Sequence, residues 1–345
     1  MAKPSRRQIL SGLSAGIGTL LAGCTAAPGE SNATSTPTDG VKSPSEAAST
    51  PADGRNTTTD SPESVPEFPP DTASDACPPF DEAAQVICYE AVDSAAMPIV
   101  LVPETQTVQL DQPTDFTLRN QSGQRFETNF YNWQLYKRVD GDWYYIMPRA
   151  TPQPLSPLAA GKVHTWTLTV TTGTVSDGGV IDMVQGTESL AADGLGGGHY
   201  AFATDGWFEA GSSEEPIALA ASFDLQADPL QLTPTAAIAE TAWDGETLVA
   251  RSTRGEAGPD EDERDAYILE RIDDSEPEAE QIIIEQLLRD NQLRDAIALS
   301  RDYDAARVRL EEFSRTLPTF GINDSRTYEF RGTRYRVTTQ SGDSP

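Results

Sequence analysis

Trp133-Gln-Leu-Tyr-Lys-Arg-Val-Asp140-Gly141-Asp-Trp143-Tyr-Tyr-Ile146 decides how the chain folds. Trp133, Leu135 and Val139 share one parity, and a second aromatic run follows Asp140-Gly141. Asp-Gly between apolar runs predicts a β-hairpin, because both residues tolerate positive φ. Upstream, Thr107–Leu110 leads to Asp115–Asn120, where Phe116 and Leu118 point to one face, and Asn120-Gln-Ser-Gly123 forms a turn. Downstream come Val163–Val170, His199–Ala203 and Ile217–Phe223. Short strands separated by Gly/Pro turns predict a mainly β protein with an antiparallel β-sandwich over residues 76–227.

The pieces Phe116-Thr-Leu-Arg-Asn-Gln-Ser-Gly123, Trp133 to Trp143, Leu158-Ala-Ala-Gly161 and Gly198-His-Tyr-Ala-Phe202 occur in an order that resembles a family of bacterial and archaeal Ig-like domains of surface lipoproteins. The resemblance covers residues 95–226. It implies an Ig-like sandwich and a surface setting, and it supplies no catalytic residues. Residues 173–198 depart from it as a Gly/Asp/Ser-rich insertion, expected to be a surface loop.

The N-terminus is expected to be an address label over residues 1–23. Lys3, Arg6 and Arg7 precede an uncharged stretch from Ile9 to Ala22. As a helix this stretch is about 21 Å long, too short for a hydrocarbon core of ~30 Å. Arg6-Arg7 resembles a twin-arginine export signal, and Leu21-Ala22-Gly23-Cys24 resembles a lipobox that would make Cys24 the lipidated first residue. Residues 24–75 are rich in Ser, Thr, Pro and acids, with Val41, Val65 and Phe68 the only large apolar residues. Such a segment buries too little surface to offset its ordering entropy and is expected to be a disordered tether. Asn32-Ala-Thr34 and Asn56-Thr-Thr58 match the N-glycosylation pattern.

The net charge is −29, and loss of Lys3, Arg6 and Arg7 with no acid would move it to −32. Lys3, Lys42, Lys137 and Lys162 are the only lysines; the other basic residues are arginines. An acid-rich, lysine-poor chain with a twin-arginine lipobox resembles a haloarchaeal lipoprotein, whose surface is solvated at high salt. Nucleic-acid binding is disfavoured, since phosphate contacts need a basic surface. With Cys24 assigned to the anchor, an oxidising environment favours a Cys77–Cys88 disulfide.

Residues 236–340 read as a small α+β unit of no recognised family. Ala239–Trp243 and Thr247–Ala250 flank Asp244-Gly245 as a hairpin. Tyr267-Ile-Leu269 reads as a strand, and Tyr328–Phe330 with Arg334–Val337 as a terminal hairpin. Ser275-Glu-Pro-Glu278 fits a capping box before a helix carrying Ala279, Ile283 and Leu287. Ala306, Leu310, Phe313 and Leu317 predict another helix.

Catalytic and cofactor chemistry has little support. His164 and His199 are the only histidines, both in predicted strands, without HExxH or Cys/His spacing for a metal. No P-loop, nucleotide-binding glycine motif or G-x-S-x-G context occurs, so no catalytic residue, metal or cofactor is expected. The acidic run Asp260–Asp265 lacks the alternating ligands and glycine of an EF-hand. Among the aromatic residues of the sandwich, Trp143, Tyr144 and Trp207 are the candidates for an outward surface that binds a glycan or protein partner. The chain therefore reads as a non-enzymatic, lipid-anchored protein of the extracellular membrane face. A solute-capturing or transport-accessory lipoprotein is the alternative, although no repeated βα units of a two-lobed binding protein occur. Peptide mapping without reductant should recover Cys77 and Cys88 in one linked pair of peptides; two free thiols would exclude the bond.

Overall fold

Asp140 and Gly141 take φ values of 53° and 97°. Positive φ at both positions makes a type I′ turn, whose twist matches that of the strands it joins. The computed structural model describes residues 64–80, 82–171, 187–255, 264–273, 279–314 and 316–342. Arg6, Arg7, Cys24, Asn32 and Asn56 lie outside the described residues, as do the Ser275–Glu278 box and most of the acidic run.

The N-terminal strands are β1 (Gln85–Cys88), β2 (Ile99–Pro103), β3 (Thr107–Gln109), β4 (Pro113–Asn120), β5 (Phe126–Thr128) and β6 (Gln134–Val139). They continue with β7 (Asp142–Met147), β8 (Ser156–Leu158), β9 (Val163–Thr171), β10 (Ser189–Asp193), β11 (Gly198–Phe208) and β12 (Ile217–Gln226). One sheet runs β2-β4-β9-β10. In the other, β11 pairs with β12 on one side, and with β5 and β6 at its two ends on the other. With β2, β4 and β9 against β6, β11 and β12, this is the A-B-E over C-F-G arrangement of immunoglobulin domains, and β7 adds the C′ strand. The expected antiparallel pairing holds through the centre of both sheets. Parallel pairs occur at β1–β12, β3–β12 and β9–β10.

The sheets are bridged by rings. Phe116 of β4 stacks on Phe202 of β11 with centroids 4.4 Å apart. Trp133, just before β6, lies parallel to Phe202 at 6.0 Å, and Trp166 of β9 closes the cluster at 5.6 Å. An immunoglobulin domain places a B–F disulfide under its strand-C tryptophan; here the Phe116–Phe202 stack occupies the equivalent strands.

The outer face of the β11–β12 sheet is lined by Ala203 and Ala220, on which the Cys77–Cys88 disulfide rests with Phe80 and Tyr136 beside it. Short alanine side chains leave room for this covering segment. The folded head also includes residues assigned to the tether from sequence. Phe68 packs 6.3 Å from Phe208, Thr72 is buried, and the Thr72 carbonyl accepts the Cys88 N–H at 2.8 Å. Too few apolar residues mark this stretch for composition to reveal it, and its burial comes from a distant partner.

The C-terminal strands are β13 (Ile238–Asp244), β14 (Thr247–Ser252), β15 (Asp265–Ile272), β16 (Glu280–Gln281), β17 (Arg307–Glu312), β18 (Arg326–Phe330) and β19 (Thr333–Gln340), with helices α1 (Ile284–Leu287) and α2 (Asn291–Asp302). They form one mixed sheet in the order β13-β14-β17-β15-β19-β18-β16. Both predicted hairpins are present. The helix predicted from Ala306, Leu310, Phe313 and Leu317 is instead strand β17. Val308 and Leu310 are buried while Arg307 is exposed, a period of two that packing between β14 and β15 selects. The helix predicted after residue 278 shrinks to the single turn of α1. The long helix is α2, capped by Asp290, whose carboxylate accepts the Leu293 N–H. Leu293, Ala296 and Ile297 pack on Leu248, Tyr267, Leu310 and Tyr335.

On the opposite face, arginines and glutamates pair across strands: Arg251–Glu311 at 3.0 Å, Arg307–Glu270 at 3.1 Å, Arg336–Glu270 at 3.0 Å and Arg334–Glu329 at 3.0 Å. Ile268 lies among them yet is only 7% exposed. Arginine stems can cover apolar surface while their heads stay wet. Phe202→Ala should lower unfolding stability by about 3–5 kcal/mol in denaturant titration; a loss below about 1 kcal/mol would show that the aromatic bridge contributes little.

Candidate functional site

Three side chains were singled out from sequence as an aromatic surface, and the fold does not bring them together. Alternation along β7 sends Trp143 and Tyr144 to opposite faces. Trp143 is 7% exposed, packed 5.6 Å from the His199 ring with the Arg138 guanidinium 5.9 Å over it. It therefore offers no binding surface. Tyr144 is half-buried and donates its hydroxyl to Gln281 Oε1 at 3.2 Å. Trp207 is half-buried opposite Glu127 near the far end of β11, about 26 Å along the strand from His199 at ~3.3 Å per residue.

A polar cluster that sequence reasoning missed lies where the sandwich meets the C-terminal unit. The two belong to one compact unit. Lys137 shares its strand face with Tyr144, and its Nζ donates to Glu285 Oε1 at 2.5 Å and to the Gly197 carbonyl at 3.0 Å. Glu285 is 1% exposed. The Tyr200 hydroxyl donates to the Gly196 carbonyl at 2.6 Å and to Glu285 Oε1 at 3.3 Å. Burial, reinforced by the Glu285 carboxylate, holds the Tyr200 hydroxyl far above its ordinary pKa. Arg289 donates to the carbonyls of Asp193 and Glu285. A Cβ at position 197 would lie 2.2 Å from the Ala227 carbonyl oxygen, so glycine is required there. Signals for this cluster were present but indistinct: a lysine inside a strand of a lysine-poor chain, and the glycines of residues 194–198.

Glu285 is buried and the Lys137 ammonium and Tyr200 hydroxyl are spent on fixed acceptors, so the chemistry of this pair is structural. The histidines are also engaged. His164 stacks on Phe130 at 3.7 Å and its Nε2 lies 2.6 Å from the Thr187 carbonyl, with burial holding its pKa below the usual range. His199 Nδ1 lies 2.9 Å from Asp224 Oδ1. Asp205 receives Asn132 Nδ2 at 2.9 Å, and burial raises its pKa. Among the described residues, no group of three or more His, Cys, Asp or Glu side chains could hold a metal ion, and no helix is long and apolar enough to cross a membrane.

The fold defines the chain as a mainly β protein with an immunoglobulin-ordered sandwich. No protein family matches the sequence, and no curated protein is similar to it. Among solved structures, the chaperone–tip adhesion subunit complex CsuC–CsuE of Acinetobacter baumannii is 14% identical, covering 50% of this chain and 76% of that one, with a TM-score of 0.23. The sporulation control protein Spo0M of Bacillus subtilis is 13% identical over 37% of this chain and 49% of that one, with a TM-score of 0.21. The Pseudomonas fluorescens DNA glycosylase AlkC is 11% identical over 38% and 31%, with a TM-score of 0.22. Likenesses this slight carry no functional argument.

Glu285→Ala would leave a buried ammonium uncompensated and should cost about 3–5 kcal/mol in denaturant unfolding. The Lys137→Met/Glu285→Leu double variant should recover most of that loss. A single variant as stable as wild type would show that the pair does not hold the junction.

Proposed function

We propose that the chain is a lipid-anchored, non-catalytic protein of the extracellular face of the cell membrane, exported through a twin-arginine signal, whose Ig-like head binds or assembles with surface partners. The order of segments carries this reading: Arg6-Arg7, an apolar stretch, Leu21-Ala22-Gly23-Cys24, a Ser/Thr/Pro-rich stretch, then a β-rich head. Cys24 holds the lipid, and the following stretch sets the head off from the bilayer. The Arg–Glu pairing of the C-terminal sheet suits a chain that works at high ionic strength, where such short pairs are screened less than distant charges.

Cys24→Ser should move the protein out of the membrane fraction or leave its signal unprocessed. Fractionation and migration like wild type would refute the anchor. Affinity purification of the wild-type chain from detergent-solubilised membranes should recover a stoichiometric protein partner; a bound small molecule found by mass spectrometry would favour solute capture instead.

A further inference from the structure

β13 ends the C-terminal sheet and pairs, among the described residues, with β14 alone. Gly245, with φ 59°, sits first in the two-residue turn that closes Asp244 against Thr247. In such a hairpin the closing pair is hydrogen-bonded and the pairs then alternate. Thr241 and Trp243, opposite Ala250 and Leu248, therefore hold the non-bonded positions, and their N–H and C=O groups point away from β14. This is an open row of strand hydrogen-bonding groups.

Side chains complete the surface. Trp243 is 53% exposed and Tyr303, just past α2, is 47% exposed. The Tyr303 hydroxyl lies 3.2 Å from Thr241 Oγ1, which places the phenol over the same face of β13 that carries Trp243. Asp244 and Glu246 line the turn end of the strand and Asp302 precedes Tyr303, whereas Glu240 is paired with Arg251 at 2.8 Å and Asp304 with Arg271 at 2.7 Å. Antiparallel pairing of β13 with itself about Ala242 would set Glu240 opposite Asp244, and like charges directly opposite destabilise a ladder.

We propose that this edge docks an extended, basic segment of another protein, which adds to the sheet beside β13. Alternation fixes its pattern. Positions facing Asp244 and the turn at Glu246 take Lys or Arg, and positions facing Thr241 and Trp243 take β-branched or aromatic residues that rest on the indole and phenol. Main-chain bonds supply affinity, and the acids exclude neutral or acidic strands that would otherwise pair with an open edge. The edge belongs to the C-terminal sheet, so the proposal goes beyond the anchored Ig-like reading and does not depend on it.

The test uses the purified full chain in detergent, without a membrane, so its outcome is independent of the lipid anchor. The probe is a fluorescent peptide of about ten residues alternating Lys and Val, compared with Glu-Val and Lys-Gly peptides of the same length. The Lys-Val peptide should bind saturably at ~0.1 M salt, and the other two should bind at least about tenfold more weakly. Trp243→Ala should weaken binding about tenfold. Thr241→Pro, which removes one outward N–H, should weaken it similarly while the circular dichroism spectrum stays unchanged. The proposal is overturned if the Lys-Val peptide does not bind, if Lys-Gly binds as tightly, or if both variants bind like wild type.

Discussion

Lys137 reaches out of one hydrophobic core and ends against a carboxylate anchored in another. Its ammonium meets Glu285 at 2.5 Å in a junction where the carboxylate is almost wholly removed from water. An ion pair in such a place gains stability only when every remaining donor and acceptor is met. The ammonium also donates to the carbonyls of Gly196 and Gly197, and Glu285 Oε1 also accepts from the Tyr200 hydroxyl and the Gly196 N–H. The geometry needs the C and F strands in register, a side-chain-free loop at Gly197 and the short helix α1. The sandwich and the C-terminal sheet are thus joined by directional contacts, and Ile283 adds an apolar one by inserting into the sandwich core.

Charge is handled in two ways in this acidic chain. Dispersed carboxylates keep the surface hydrated, whereas the arginines gather where they can pair. The open face of the C-terminal sheet shows the second way, with guanidinium groups bridging glutamates on neighbouring strands. Guanidinium suits this better than ammonium, because its planar fork meets carboxylates on two sides. Arg254 does the same inside the unit, reaching Asp295 at 2.7 Å and Glu312 at 2.9 Å. The edge at β13 differs, because Trp243 and Tyr303 stay exposed beside it.

Strand-level reading succeeded where the signal was local. The Asp140-Gly141 and Arg331-Gly332 turns lie between their strands with positive φ at both residues, and the hairpin read from Asp244-Gly245 is present with its turn one residue later, at Gly245-Glu246. It failed where a pattern was short and ambiguous. Val308-Arg-Leu310 fits a strand as well as a helix, and only its position between two other strands chose. The α2 helix carried legible signs, an Asp cap at 290 followed by Leu293, Ala296 and Ile297, which were obscured by an earlier and stronger-looking capping box.

The sequence by itself determined the β-rich character, the hairpins, the strands that carry core residues and the acidic, lysine-poor balance, because alternation, turn chemistry and composition are written along the chain. It also carries the N-terminal pattern on which the anchor proposal rests. Only the tertiary structure decided that Phe116 and Phe202 stack across the sheets, that Phe68 belongs to the head, that Lys137 and Glu285 meet, and that Trp143 is covered while Trp243 is not. Each of these joins residues far apart in the chain, and burial depends on what the rest of the chain lays over a residue. No local pattern encodes that.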